Sequence, residues 1–254
     1  MKRQRGACAG WFALFLLAWV PGAQALEARL TWDRAVTLSL PVKGVVMRLA
    51  GRPGERVEKG VMLVQLDQRP FRTRIDALVA RLRDLDAVRA EAKRELERAE
   101  ALYDRTVLSQ HELQLKKNDY IAAQAAYESG RAELVRARLD LEYSTLRAPF
   151  AARILERYVE VGQTVVADMR PTPVLRVAAR DSLLAVAVLP AQKATGLEPG
   201  RRMPVIVDGT RIEGELVAIA SRETPQGIEH RIAVRIPAGE HGWVAGQPAV
   251  IDLP

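Results

Sequence analysis

Hydrophobic positions change period twice along this chain. Short aliphatic runs at 36–40, 45–49 and 61–66 are separated by turn signals at Arg52-Pro53-Gly54 and Lys59-Gly60, which predicts short strands. From Phe71 the apolar residues recur every three or four positions, at Phe71, Ile75, Leu78, Leu82, Leu85, Ala92, Leu96, Ala99 and Tyr103. Arg89 breaks this heptad seam, and Val88 stands beside it. Thr106-Val107-Leu108-Ser109 interrupts the pattern, and Ser109 followed by Glu112 has the spacing of a capping box, so a second helix is expected to begin there. Its seam runs Leu113, Tyr120, Ala123, Tyr127, Leu134, Ala137 and Leu141, with Lys116 and Gly130 as imperfect positions. Helices joined by so few residues run antiparallel as an αα-hairpin. Each arm of about 35 residues would extend about 50 Å. The seams are narrow and the other faces charged, as in Arg81-Leu82-Arg83-Asp84, so the hairpin should stand in solvent or against other hairpins.

After Tyr143 the short-strand pattern resumes, and part of it repeats an earlier stretch. Gly44-Val45-Val46, Gly54-Glu55-Arg56-Val57-Glu58-Lys59-Gly60 and Leu63-Val64-Gln65-Leu66-Asp67 are echoed by Arg153-Ile154, Gly162-Gln163-Thr164-Val165 and Val174-Leu175-Arg176-Val177. Val46 matches Ile154, Gly54 matches Gly162 and Val57 matches Val165 at one constant offset, 154 minus 46 or 108 residues; three extra residues before Val174 then break the register. A repeat interrupted by a helical insert predicts one β-domain split in two. Gly44, Gly54, Gly60 and Gly162 are its expected structural glycines. Beyond Asp181 come strand candidates at 183–189, 203–207, 210–220, 230–236 and 248–253 and a short helix candidate at 190–197, which suggests a small antiparallel barrel. Trp32 is expected on a strand that joins it.

The first 25 residues read as an export signal. Lys2, Arg3 and Arg5 precede a mostly apolar run at 7–20, a Pro21-Gly22 pair and the small-x-small site Ala23-Gln24-Ala25. The run is shorter than the roughly 20 apolar residues a membrane helix needs, so cleavage before Leu26 is expected, with no retained span. Cys8 is the only cysteine and lies upstream of the apolar run, not at the cleavage point. The mature chain would have no disulfide, no Cys-ligated metal and no thiol nucleophile. Its net charge falls from +7 to near +4, because residues 1–25 hold three cations and no acid. A mildly basic surface whose only mature phenylalanines are Phe71 and Phe150 gives no basis for nucleic-acid stacking.

Catalytic patterns are missing from the sequence. His111, His230 and His241 are isolated, and no nucleophile elbow, P-loop or dinucleotide fingerprint occurs. Met47, Met62, Met169 and Met203 are dispersed, which gives no thioether cluster for copper. The residues point to a protein without catalysis, metal or cofactor.

The order of these parts resembles the periplasmic adaptor subunits, or membrane-fusion proteins, of tripartite efflux pumps. The resemblance rests on the half-motif G-x-x-V-x-x-G ending in Leu66-Asp67, the hairpin, the second half opening with Leu146-Arg147-Ala148-Pro149-Phe150, and the barrel. It implies a mixed α and β, elongated, multidomain fold: residues 1–25 a signal peptide, 26–37 strands joining the barrel, 38–67 and 144–178 two halves of a lipoyl/biotinyl-like β-domain, 68–143 the coiled-coil hairpin, and 179–254 the barrel. In true carriers of that β-fold the halves meet at a tight turn bearing a modified lysine. Here Asp67-Gln68-Arg69-Pro70 leads into the hairpin and offers none. Many adaptors also continue into a further membrane-proximal β-domain; the expectation here is either that this domain is absent or reduced or that the barrel boundary lies elsewhere than 179–254.

The hairpin tip carries a more local likeness. Adaptors that dock onto an outer-membrane channel resemble one another in an Arg-x-x-x-Leu-x-x-x-x-x-x-Ser pattern, matched here by Arg98, Leu102 and Ser109. The likeness implies that these residues contact the channel. It further implies an inner-membrane transporter as partner, chiefly of the resistance-nodulation-division type, and self-association as a hexamer. The alternatives of the same sequence are an adaptor for an ATP-driven exporter, a modified carrier, and a structural coiled-coil protein.

Overall fold

The computed structural model describes residues 24–253 except 168, 169, 191, 192, 195, 226 and 240; the expected export segment up to residue 23 lies outside them. The chain forms two compact units. One is a closed barrel of β1 (Gln24–Trp32), β10 (Ser182–Pro190), β13 (Gly227–Pro237), β12 (Thr210–Thr224), β11 (Arg202–Val207) and β14 (Pro248–Leu253), in that order around the wall. Alternating residues such as Ala185, Ala187 and Leu189, or Met203, Val205 and Val207, are buried and fill its interior, as strand periodicity requires. Pro190 closes β10 instead of opening the helix expected at 190–197, and three residues of that stretch lie outside the described set. β12 and β13 run past the expected 210–220 and 230–236 and remain paired as far as Thr224 opposite Gly227.

The second unit contains two four-stranded sheets and two long helices. The sheets are β2 (Val36–Ser39), β9 (Pro173–Ala179), β7 (Ala152–Arg157) and β4 (Arg56–Val57) in one order, and β6 (Thr145–Arg147), β5 (Met62–Leu66), β3 (Gly44–Leu49) and β8 (Thr164–Val165) in the other. They share a core that includes Val46, Val57, Leu63, Ile154, Val165 and Val174.

Pairing in these sheets repeats with two-fold regularity. Gly54 N–H donates to Ile154 O and Gly162 N–H to Val46 O, both at 2.8 Å, while Ile154 N–H donates to Glu55 O and Val46 N–H to Gln163 O, both at 2.9 Å. Every atom in one pair maps onto the other by the 108-residue offset. The β3–β8 pairs, Gly44 with Val165 and Val45 with Thr164, likewise map onto β7–β4, Ala152 with Val57 and Arg153 with Arg56. Each half's first strand therefore pairs with the other half's second. Beyond the three-residue insertion the offset becomes 111, and Val46–Leu66, Arg48–Gln65 and Leu49–Val64 map onto Ile154–Val177, Glu156–Arg176 and Arg157–Leu175, bulge included.

The repeat also starts earlier than the glycine motifs. Leu38 pairs with Leu175 in β2–β9 as Leu146 pairs with Val64 in β6–β5. The sequence echo is Thr37-Leu38 with Pro41 and Thr145-Leu146 with Pro149, again 108 apart.

Between β5 and β6 the chain leaves as α1 (Arg69–Asp104) and returns as α2 (Gln110–Tyr143). Gln68 Nε2 donates to Ser144 Oγ and Thr145 Oγ1, each at 3.1 Å, and the buried Ser144 hydroxyl donates to Leu141 O at 2.6 Å. These bonds tie the two helix ends to each other. Asp67 accepts bonds from the Arg69 guanidinium and backbone N–H within 3.1 Å, and this pairing holds its carboxyl pKa down to about 2.

Candidate docking site at the helix tip

The helices run antiparallel along the seam their spacing predicts. Arg74 faces Asp140 at 3.7 Å, and Arg81 Nη1 donates to Glu133 at 3.0 Å. The imperfect positions have specific partners. Arg89 lays its guanidinium 4.1 Å from the Tyr127 ring centroid, a cation–π contact inside the seam. Gly130 lies opposite Leu85, whose Cδ1 would be 2.7 Å from any added Cβ. Toward the tip Ala99 is the last buried residue of α1, and Tyr103, expected in the seam, is exposed instead because the helix ends one residue later.

The turn itself has a Schellman-type geometry. Thr106 has φ +60°, its N–H donates to Tyr103 O at 2.8 Å, and Val107 N–H donates to Leu102 O at 3.0 Å. Such turns commonly bring apolar side chains together at the positions held here by Leu102 and Val107, which are 41% and 71% exposed. Ser109 then caps α2. Its Oγ accepts from Glu112 N–H at 3.2 Å and donates to Glu112 Oε2 at 2.7 Å, while Ser109 N–H donates to the same carboxylate at 3.0 Å. Bonds from Ser109 hold the Glu112 carboxyl below its ordinary pKa.

A groove of about 420 Å³ runs along one side of the tip, with Ala99, Leu102, Leu108 and Leu115 as apolar lining and Glu95, Arg98, Glu112, Lys116 and Asp119 as charged lining. Of the three residues expected to make the contact, Arg98 and Leu102 share this groove. Arg98 is ion-paired with Glu95 one turn away. Ser109 is not part of the lining, and its hydroxyl is committed to the cap. Val107, Leu108 and Leu115 are apolar tip residues that the motif omits; the apolar Val107-Leu108 pair inside a helix-breaking segment was their available signal. The four expected structural glycines lie elsewhere, one in a strand and three in the turns between strands. Gly54, Gly60 and Gly162 have φ from +85° to +91°, whereas Gly44 sits in β3 and approaches Leu66, whose Cδ1 would be 3.1 Å from a Cβ.

No family model matches the chain. It is 30% identical over 135 residues to the multidrug resistance protein MdtA of Pectobacterium carotovorum, covering 53% of this chain and 33% of that protein. It is 27% identical over 176 residues to MdtA of Proteus mirabilis, covering 68% and 43% respectively. The chain thus spans less than half the length of these curated relatives. Among solved structures, the membrane fusion protein Spr0693 of Streptococcus pneumoniae superposes with a TM-score of 0.70 at 13% identity, covering 91% of this chain and 98% of that one. A MacA-MexA chimera carrying the Pseudomonas aeruginosa MexA α-hairpin domain superposes with a TM-score of 0.65 at 18% identity, covering 91% and 80%. The fold is that of membrane fusion proteins. Among the described residues, no helix is long and apolar enough to cross a membrane.

Proposed function

We propose that this chain is a periplasmic adaptor of a tripartite efflux pump, linking an inner-membrane transporter of the resistance-nodulation-division type to an outer-membrane channel. One observation carries the reading. A helix pair of 36 and 34 residues leaves a small two-fold β-domain, is packed along its own seam, and ends in an exposed apolar tip. Such a pair adds nothing to the core of the sheets, so its length is accounted for by reach: at 1.5 Å per residue it extends about 50 Å. The similarity to MdtA proteins supports the same reading.

In this reading the split sheet domain is lipoyl-like and bears the hairpin where a carrier would bear its modified lysine. The chain performs no catalysis; it seals and couples a conduit whose energy the transporter supplies. Leu102, with Val107 beside it, enters an apolar notch of the channel, and Arg98 donates to carbonyls or carboxylates there after exchanging its Glu95 partner. Ser109 acts through its cap, by fixing where α2 begins. Copies assemble with hairpins side by side, as a hexamer. Support for that packing comes from α2, where Ile121, Ala125, Ala132, Val135, Leu139 and Tyr143 recur at helical spacing and are all exposed, on the side away from the seam.

Leu102→Asp or Arg98→Asp should abolish efflux and site-specific crosslinking to the channel while leaving helix content unchanged. Intact efflux and crosslinking in both variants would remove the tip assignment. Co-purification of an ATP-driven transporter in place of the expected class would move the adaptor to that kind of exporter.

A further inference from the structure

Charges on the helix pair divide by whether they find a partner within the chain. Arg74 pairs with Asp140 and Arg81 with Glu133 across the seam, while Arg94, Arg98 and Arg131 pair with glutamates one turn back along their own helix. In the half of the pair nearest the sheets, residues 70–87 and 128–143, six exposed charges form no ion pair among the described residues. They are Arg72, Asp76, Arg83 and Asp84 on α1 and Arg138 and Glu142 on α2. None lies in the seam.

The outer side of α2 also carries Ile121, Val135, Leu139 and Tyr143, which are 55, 49, 38 and 45% exposed. No described residue of the chain covers them, and a row of apolar side chains on the outer side of a charged helix marks a contact with another helix. The outer side of α1 is different. It holds Thr73, Ala80 and Ala87 at heptad spacing, all exposed and small enough to admit larger side chains from a neighbour.

The unpaired charges say how the two sides meet. Within one hairpin Arg74 is level with Asp140, Arg81 with Glu133 and Leu85 with Gly130, so each step up α1 matches a step down α2. Copies related by rotation about an axis parallel to the hairpins stand at one height, and the same levels then hold between α2 of one copy and α1 of the next. They set Arg138 level with Asp76 and Glu142 level with Arg72, so four of the six unpaired charges face an opposite sign. Leu139 comes opposite the gap between Thr73, Asp76, Ala77 and Ala80, as a knob meets a hole. Arg83 meets Glu128 and Arg131, which neutralise each other. A shift of one heptad in either direction would instead set Arg138 against Arg83 or Arg69.

We infer that each α2 packs its outer side against the outer side of α1 in the next copy without axial offset, through Leu139 flanked by Asp76–Arg138 and Arg72–Glu142 pairs. The contact rests on the side-by-side hairpins of the adaptor reading and names the two faces that meet. It joins unlike surfaces, so it continues from copy to copy, and the absence of axial offset lets the ring close.

Cysteine trapping in cells producing the full-length Cys8→Ser chain tests the contact. Ala80 and Val135 are level but on opposite outer sides of one hairpin, so thiols there cannot meet within a chain. Ala80→Cys and Val135→Cys on one chain should give a ladder of covalent oligomers under mild oxidation. Co-produced on separate chains they should give dimers and nothing larger, and each alone should stay monomeric. Adding Arg138→Glu to the double-cysteine chain should cut trapping several-fold, and adding Asp76→Arg as well should restore it. A missing ladder, dimers from either single variant alone, or a charge exchange that restores nothing would each overturn the inference. Crosslinking of the helix tip to the channel is read in the same cells. A ladder without it would keep the lateral contact and remove the adaptor assignment, whereas tip crosslinking without a ladder would remove the contact alone.

Discussion

Gly51 and Gly54 open and close one turn, have nearly the same φ of +92° and +91°, and differ only in what surrounds them. A Cβ at Gly54 meets nothing within 4 Å, whereas one at Gly51 would lie 2.1 Å from Ile154 Cδ1. Gly54→Ala should therefore cost the left-handed penalty of about 1–2 kcal/mol. Gly51→Ala adds an overpacking cost of about 1–3 kcal/mol. Ile154→Val removes the Cδ1 and should recover most of that excess in the Gly51→Ala background, although alone it costs about 0.5–1.5 kcal/mol. A double-mutant cycle in urea measures the coupling; equal losses from the two glycine substitutions would refute it. Both glycines were legible as turn residues because Arg52-Pro53 lies between them. The packing duty of Gly51 was not, since it depends on a residue in the other half of the repeat. The equivalent position is held by the buried Val159, which does not share the positive φ of Gly51, so the two halves differ in backbone at this turn.

The helices were the most legible elements, because a seam sustained over nine or seven positions leaves little choice of period. The start of α2 was legible as well, through Ser109 and Glu112. The end of α1 carried no such mark. Helices favour Gly at the left-handed position after the C-cap, and here Thr106 occupies it at φ +60°, where a β-branched residue is strained. Thr106→Gly relieves a penalty of about 1–2 kcal/mol and surrenders about 0.5–1 kcal/mol to the freer unfolded chain. The helix pair should gain about 0.5–1 kcal/mol net, read as a higher helix melting temperature by circular dichroism; a lower one would mean the threonine side chain stabilises the turn. The β12–β13 extension was illegible for a different reason. Ser221, Arg222 and Glu223 are exposed in succession, as are Gly227 and Ile228, so no buried face imposes the alternation that reveals a strand.

Across the whole molecule, the repeat was legible where glycines and buried valines recur and hidden where only Thr, Leu and Pro do. β2 and β6 therefore entered the reading as separate strands, although they are equivalent. Their equivalence bears on what the hairpin does for the fold. β5 and β6 are adjacent, with Gln65 opposite Thr145 and Leu66 N–H donating to Ser144 O at 2.9 Å, so the two ends of the insert already stand at hairpin distance. A two-residue turn spans such a pair, and Asn-Gly suits the twist of antiparallel strands. Replacing residues 67–143 by Asn-Gly should consequently leave both sheets intact. The expected protein is a soluble, cooperatively unfolding chain whose far-ultraviolet spectrum has lost its helical minima, whose tryptophan emission is unchanged, and whose crosslinking to the channel is gone. The sheet core has no contribution from the helix seam: its buried residues all come from segments 40–66 and 148–177. If the shortened chain aggregates or unfolds without cooperativity, the helices support the sheets as well as projecting from them, and reach alone would no longer account for their length.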